Sequence, residues 1–218
     1  MRSSIRCREL CFLLTLTVLR AEVIDRIAVT VGNSVITASD VDREIRVTSF
    51  LNGVKPDFSS AAKRATANRM VEQKLIRREL ETSRYPVPNA AEVEPILQEF
   101  KKAHFKDAAE YERAMTDAGV TEQGITYELL WQRTLLLFIE IRFRPGVQVS
   151  DQDVEDYFEK VVKPAAQAAH PAEPVSLDDY RTRIEETLVG QREDTDMDKW
   201  LTAVRKRTEI VFHDEALR

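Results

Sequence analysis

Residues Asp25–Asp40 read DRIAVTVGNSVITASD, and the fold turns on this stretch. Ile27, Val29 and Val31 alternate with other residues, Gly32-Asn33 supplies a two-residue turn, and Val35 and Ile36 resume an extended pattern. That is the signature of a β-hairpin. Ser39 stands where it would cap a helix directly behind the hairpin. A lone hairpin is barely stable in water, so these strands need the helical body, with another strand from far along the chain as an additional candidate partner. Thr208-Glu209-Ile210-Val211-Phe212, near the other end, has the length and β-branched content to supply it. The expected fold class is therefore mainly α: a multi-helix core with a small antiparallel sheet formed by the N-terminal hairpin and a C-terminal strand.

Between these ends the chain is dominated by helical periodicity. Helix one is expected from Ser39, through Val41, Ile45 and Phe50, to Asn52-Gly53. Helix two opens near Ser59 or Ser60, carries Met70, Val71, Leu75, Ile76 and Leu80 on one face, and ends at Tyr85-Pro86-Val87-Pro88. Helix three follows Asn89, and Asp107 caps a fourth helix that stops at Gly119. Thr121 opens helix five, which around Leu135–Ile139 is apolar on every side and so is either central to the core or partly exposed for binding. Ser150 to Asp153 forms a capping-box variant ahead of helix six. Residues 164–175, rich in Ala and Pro, are expected to be a linker or frayed turn, and Ser176 caps the last long helix. The expected organisation is a signal segment at 1–21, hairpin and helical core at 22–163, the linker at 164–175, and a C-terminal helix and strand at 176–218 that complete the core.

The first residues have the form of a secretory signal. Arg2, Arg6 and Arg8 precede the apolar run Leu10–Leu19, LCFLLTLTVL, which is short for a membrane span. Ala21 is the one small residue at hand for cleavage, and an uncleaved anchor or a misassigned start codon are the alternatives. Both cysteines, Cys7 and Cys11, fall in this segment. A mature chain without thiols suits an oxidising compartment and has no thiol nucleophile or cysteine-based zinc site. The full chain of 218 residues carries net charge −5, and removal of 1–21 leaves 28 basic against 36 acidic residues, net −8. Such an acidic chain is poorly suited to nucleic acid, whose phosphates must be neutralised by cations.

Little in the sequence suggests catalysis. His104, His170 and His213 are scattered, with no partner at ligand spacing. There is no G-x-S-x-G, and the six glycines form no phosphate-binding loop. Acidic pairs such as Glu92/Glu94 and Asp178/Asp179 have the look of solvated helix faces. No catalytic residue, metal ligand or cofactor is expected. The stronger signal is surplus apolar surface, since helix five carries more large apolar residues than one buried stripe needs, and Phe50, Leu51, Val54 and Phe58 cluster near a loop. Candidate contacts for an apolar polypeptide are Phe50, Leu51, Phe58, Trp131 and Phe138.

Several stretches resemble a known family. VIDRIAVTVGNSVITASDVDREI (23–45) is similar to the start of the core of SurA-like periplasmic chaperones. ANRMVEQKLIRREL (67–80) is similar to that family's second helix, and VQVSDQDVEDYFEK (147–160) to the segment leading out of its N-terminal helices. SLDDYRTRIEETLVGQREDTDMDKWLTAVRKRTEIVF (176–212) resembles its returning C-terminal helix and strand. The resemblance implies a helical core closed by the C-terminal helix and strand, and ATP-independent binding of unfolded outer-membrane and secreted proteins. Many members carry a parvulin-type prolyl isomerase domain, but the gap at 164–175 is far too short for one. Together these readings lead to the expectation of a periplasmic, non-enzymatic chaperone. Its partners would be unfolded or nascent exported polypeptides, with no nucleic acid and no stable membrane insertion after signal removal. Exchange of the C-terminal helix between two copies would give a homodimer. The alternatives are a peptidyl-prolyl cis-trans isomerase and a dedicated structural partner of one envelope protein.

Overall fold

The computed structural model describes residues 25–169 and 174–218. The signal-segment expectation at 1–21 lies outside the described residues. The fold is mainly α with a small three-stranded antiparallel sheet. Strands β1 (Ile27–Val31) and β2 (Ser34–Thr37) form the N-terminal hairpin, and β3 (Ile210–Phe212) pairs antiparallel with the free side of β1, giving the order β2-β1-β3. Gly32 takes φ +54° at the first position of the two-residue turn, a conformation that favours glycine. Its N–H donates to the Glu209 carbonyl at 2.8 Å, and the His213 N–H donates to the Ala28 carbonyl at 2.9 Å, so the closure between the chain's two ends extends past both ends of β3.

Simple alternation in β1 is interrupted. Ile27 pairs with Thr37, but the next partner of Ile36 is Val29, leaving Ala28 as an extra residue in a β-bulge. As a result Ala28, Val29 and Val31 face the core while Ile27 is exposed, which corrects the expected Ile27–Val29–Val31 face. These residues pack with Ile36, with Val41 and Ile45 of α1 (Ala38–Leu51), and with Val71 and Leu75 of α2 (Ser60–Thr82). The C-terminal turn adds Ala216 and Leu217 to the same core. Arg64 of α2 pairs with Asp214 and places its guanidinium 3.8 Å from the Phe212 ring centre, tying strand and turn to the helix.

The first cap lies two residues earlier than Ser39. Thr37 is the N-cap of α1: its side chain accepts from the Asp40 N–H, and the Asp40 carboxylate accepts from the Thr37 N–H, a reciprocal capping box. Ser39 instead bonds to Asp25. The other caps stand where the sequence places them: Ser59 for α2, Asn89 for α3 (Ala90–His104), Asp107 for α4 (Ala108–Ala118) and Thr121 for α5 (Glu122–Arg142). Ser150 caps α6 (Asp151–Tyr157). Its partner Asp153 is held at a pKa of about 2, chiefly by the hydrogen bonds from Ser150.

Residues expected to form a linker are partly helical. After α6, a π-helical turn at Phe158–Val162 leads into α7 (Lys163–Ala169). The widened turn comes just before Pro164, which has no N–H to give to a regular turn and whose ring crowds the preceding one. The alanines beyond it have the highest helix propensity, and this outweighs the proline signal. Helix α8 (Leu177–Lys206), capped by Ser176, then runs unbroken through the polar stretch Arg192–Asp198. Its first half packs on α6 and the π-helical turn through Ile184, Val154 and Phe158. Its last turns pack on α2 and α5 through Leu201, Ile76 and Phe138.

Candidate functional site: a groove between three helices

Three helices and the end of β2 surround an open groove of about 490 Å³. Each helix presents a face at helical spacing. Helix α1 contributes Asp40, Arg43, Glu44 and Val47, and α2 contributes Met70, Gln73, Lys74 and Arg77. Helix α5 contributes its first turns, with Gly124, Tyr127 and Glu128 facing the groove. A β-carbon at Gly124 would crowd the capping Thr121 Oγ1 at 3.3 Å and make ordinary contact, 3.5 Å, with a Val47 methyl of α1. Apolar surface in the groove comes from Ile36, Val47 and Met70.

Polar groups in the groove are held in a defined order. Arg43 donates to Asp40 at 2.9 Å. The Gln73 amide donates to Glu44 at 3.1 Å, and the Gln132 amide donates to Glu128 at 3.0 Å. Arg77 lies over two rings, 4.9 Å from the centre of Tyr127 and 4.3 Å from that of Trp131, an arrangement in which the guanidinium is attracted to the ring faces. Tyr127 is 57% exposed. Glu128 is only 6% exposed, and burial, reinforced by the nearby Glu44 carboxylate, pushes its pKa up to about 7. Neither Glu44 nor Glu128 forms an ion pair among the described residues.

The residues singled out from sequence are not gathered here. Phe50 is half-buried in an aromatic cluster, its ring centre 5.9 Å from both Phe100 and Phe105, and Leu51 packs against the same cluster. Phe58 is exposed on the α1–α2 loop with the Arg46 guanidinium 5.2 Å from its ring centre. Trp131 and Phe138 are enclosed, Phe138 beneath Tyr85, Phe143 and Trp200. The expectation that these two face a client is corrected. Helix α5 packs against α3 on one side and against α2 and α8 further along, so its aromatic side is core. Its exposed large apolar residues are Tyr127, Ile141 and Leu136, the last 61% accessible.

Sequence reasoning missed the charged part of the groove. A signal for it was present in Glu128, which lies three residues from both Ile125 and Trp131 and so falls on the buried stripe of an otherwise apolar helix. A carboxylate in that position is costly to bury and therefore informative. Among the described residues no group of three or more His, Cys, Asp or Glu side chains is placed to hold a metal ion, and no helix is long and apolar enough to cross a membrane. Comparison with protein-family models, with curated proteins and with solved structures finds no match to this chain.

Proposed function

We propose that this protein is an ATP-independent chaperone that binds unfolded or partly folded exported polypeptides. The observation that carries the reading is the open groove between α1, α2 and α5, which combines apolar surface with hydrogen-bonding and charged groups. An extended polypeptide presents the complementary mixture of apolar side chains and backbone amides. Every 100 Å² or so of client apolar surface covered contributes about 2.5 kcal/mol, offset by the cost of ordering the bound segment, so binding is weak and reversible. Leu136 and Ile141 add exposed apolar surface elsewhere on α5. The return of the C-terminal helix and strand to the N-terminal hairpin is the architecture that the resemblance to SurA-like chaperones implies, and it supports the same reading. The secretory-signal pattern read in residues 1–21 supports a periplasmic location.

The test is suppression of aggregation of a chemically denatured client diluted into buffer without nucleotide. A stoichiometric excess of this protein is expected to hold the client in solution. Unchanged aggregation at excess protein would overturn the reading.

A second reading rests on Glu128 alone. A carboxyl that titrates near neutrality beside a groove is the kind of group general acid–base catalysis uses, and it keeps a prolyl isomerase in view. Acceleration of cis–trans exchange in a proline peptide by the wild-type chain, abolished in Glu128→Gln, would put this reading first.

A further inference from the structure

We infer that the free edge of β3 pairs with the same edge of a second copy of this chain, joining two three-stranded sheets antiparallel about Val211. The backbone bonds at either end of β3 fix which groups are left over. The Gly32 N–H donates to the Glu209 carbonyl, the His213 N–H donates to the Ala28 carbonyl, and Thr30 lies opposite Val211 between them. Antiparallel bonding alternates along a strand. Glu209, Val211 and His213 therefore turn their backbone groups to β1, and Ile210 and Phe212 turn theirs outward. No loop or further strand among the described residues takes up those outward groups. Ile210-Val211-Phe212 also lacks the lysine, proline or bulge that guards many exposed edges. The opposite edge, on β2, is partly closed, because the Thr37 N–H is taken by the Asp40 carboxylate.

Charge complementarity identifies the occupant as a second copy. The outer face of β3 carries Glu209, Val211 and His213, all exposed. In an antiparallel pair centred on Val211, Ile210 of each copy lies opposite Phe212 of the other, and the two exchange both backbone bonds. Val211 then meets Val211, and Glu209 of each copy meets His213 of the other, once on either side of the two-fold axis. These are the non-bonded pairs, in which side chains approach most closely. Glu209 is in no ion pair among the described residues, and the His213 ring meets only the Thr30 hydroxyl, at 3.3 Å. Sliding the pair by two residues either way sets Glu209 opposite Glu215 or Arg207 opposite His213, so charge selects the centred register. Three residues per strand bury less than the roughly 1,200 Å² of a stable complex, so association is weak and depends on concentration. It differs from exchange of the C-terminal helix, which leaves this edge unpaired, and it does not depend on the groove.

Cysteine substitution reads the contact directly, in the full chain carrying Cys7→Ser and Cys11→Ser. Two copies of Val211→Cys at a non-bonded pair would place their Cα atoms about 4.5 Å apart, within disulfide range. Oxidation at high protein concentration is expected to give a covalent dimer. Val35→Cys, similarly exposed but on the other edge strand, should stay monomeric. Sedimentation of the chain without added cysteine should show a monomer–dimer equilibrium. His213→Glu should weaken it roughly tenfold, because two pairs become repulsive at once, and Glu209→Lys combined with His213→Glu should restore it. All of these side chains are exposed, and circular dichroism checks that each variant is folded. No disulfide from Val211→Cys, equal yields from Val211→Cys and Val35→Cys, or a dimer indifferent to the charge variants overturns the inference. So does a mixed disulfide between Val211→Cys and a thiol-bearing denatured client while the protein itself sediments as a monomer, which would assign the edge to clients.

Discussion

Glu128 ties the stability of the fold to pH, and Glu128→Gln isolates the effect. The carboxyl rises from an ordinary 4.5 to about 7, first because it is buried and then because Glu44 is near. Below pH 4.5 it is protonated in folded and unfolded chains alike and costs nothing. Between 4.5 and about 7 the unfolded chain releases the proton while the folded chain keeps it, so stability falls as pH rises, and the loss is complete once the folded carboxyl ionises. The span corresponds to about 3 kcal/mol, or roughly 10 °C in Tm for a chain of this size. Glutamine keeps a carbonyl oxygen to accept the Gln132 amide hydrogen bond and has no charge to bury. Urea unfolding followed by circular dichroism should show wild type losing stability from near pH 5 to near pH 8. Glu128→Gln should be almost level over the same range, so that the variant is the more stable near pH 8 and nearly equal to wild type near pH 5. Asp153 does not confuse the result. Its pKa is depressed to about 2, so its contribution is present above its ordinary 3.8 and lost only as pH falls below it. The same pH slope in variant and wild type would refute the argument that Glu128 is a desolvated carboxyl.

Other substitutions address the packing and the caps. Phe138→Ala removes a buried ring packed among Tyr85, Phe143 and Trp200 and should cost about 3–5 kcal/mol in urea unfolding, as expected of a core residue and not of a client contact. Leu217→Ala should cost about 2–5 kcal/mol and lower the midpoint of the whole transition, because this C-terminal side chain is buried in the core of the N-terminal hairpin. Thr37→Ala should cost about 1 kcal/mol by removing the capping box of α1, whereas Ser39→Ala should stay within about 0.5 kcal/mol in the same assay.

The parts of the fold that were legible were those with local chemical markers. Thr121, Ser150 and Ser176 declare helix starts through the hydrogen bonds their side chains make, and Gly32 declares the hairpin through its backbone freedom. The pairing of β3 with β1 was inferable because two short strands at opposite ends each lacked a neighbour. Less legible was anything decided by competition between signals. At Ala28 a bulge shifts which residues face inward, and periodicity alone carries no mark of it. At Lys163–Ala169 alanine propensity wins over Pro164. The client contacts suffered most, because apolar residues in sequence do not distinguish a core from an exposed surface. Trp131 and Phe138 are buried by α2 and α8, which are remote in sequence, while the groove beside them is marked by Glu44, Gln73 and Glu128, the polar residues that an apolar search passes over.

The central claim, that an unfolded client lies in the groove between α1, α2 and α5, is tested most directly by site-specific photocrosslinking. A photoreactive residue replaces Tyr127, which is exposed and lines the groove, and in a control protein it replaces Asp194, exposed on α8 away from it. The account predicts strong crosslinking of a denatured exported protein at 127, competed by excess unlabelled denatured client, and little at 194. Equal yields at the two positions, or none at 127 while aggregation is still suppressed, would contradict it.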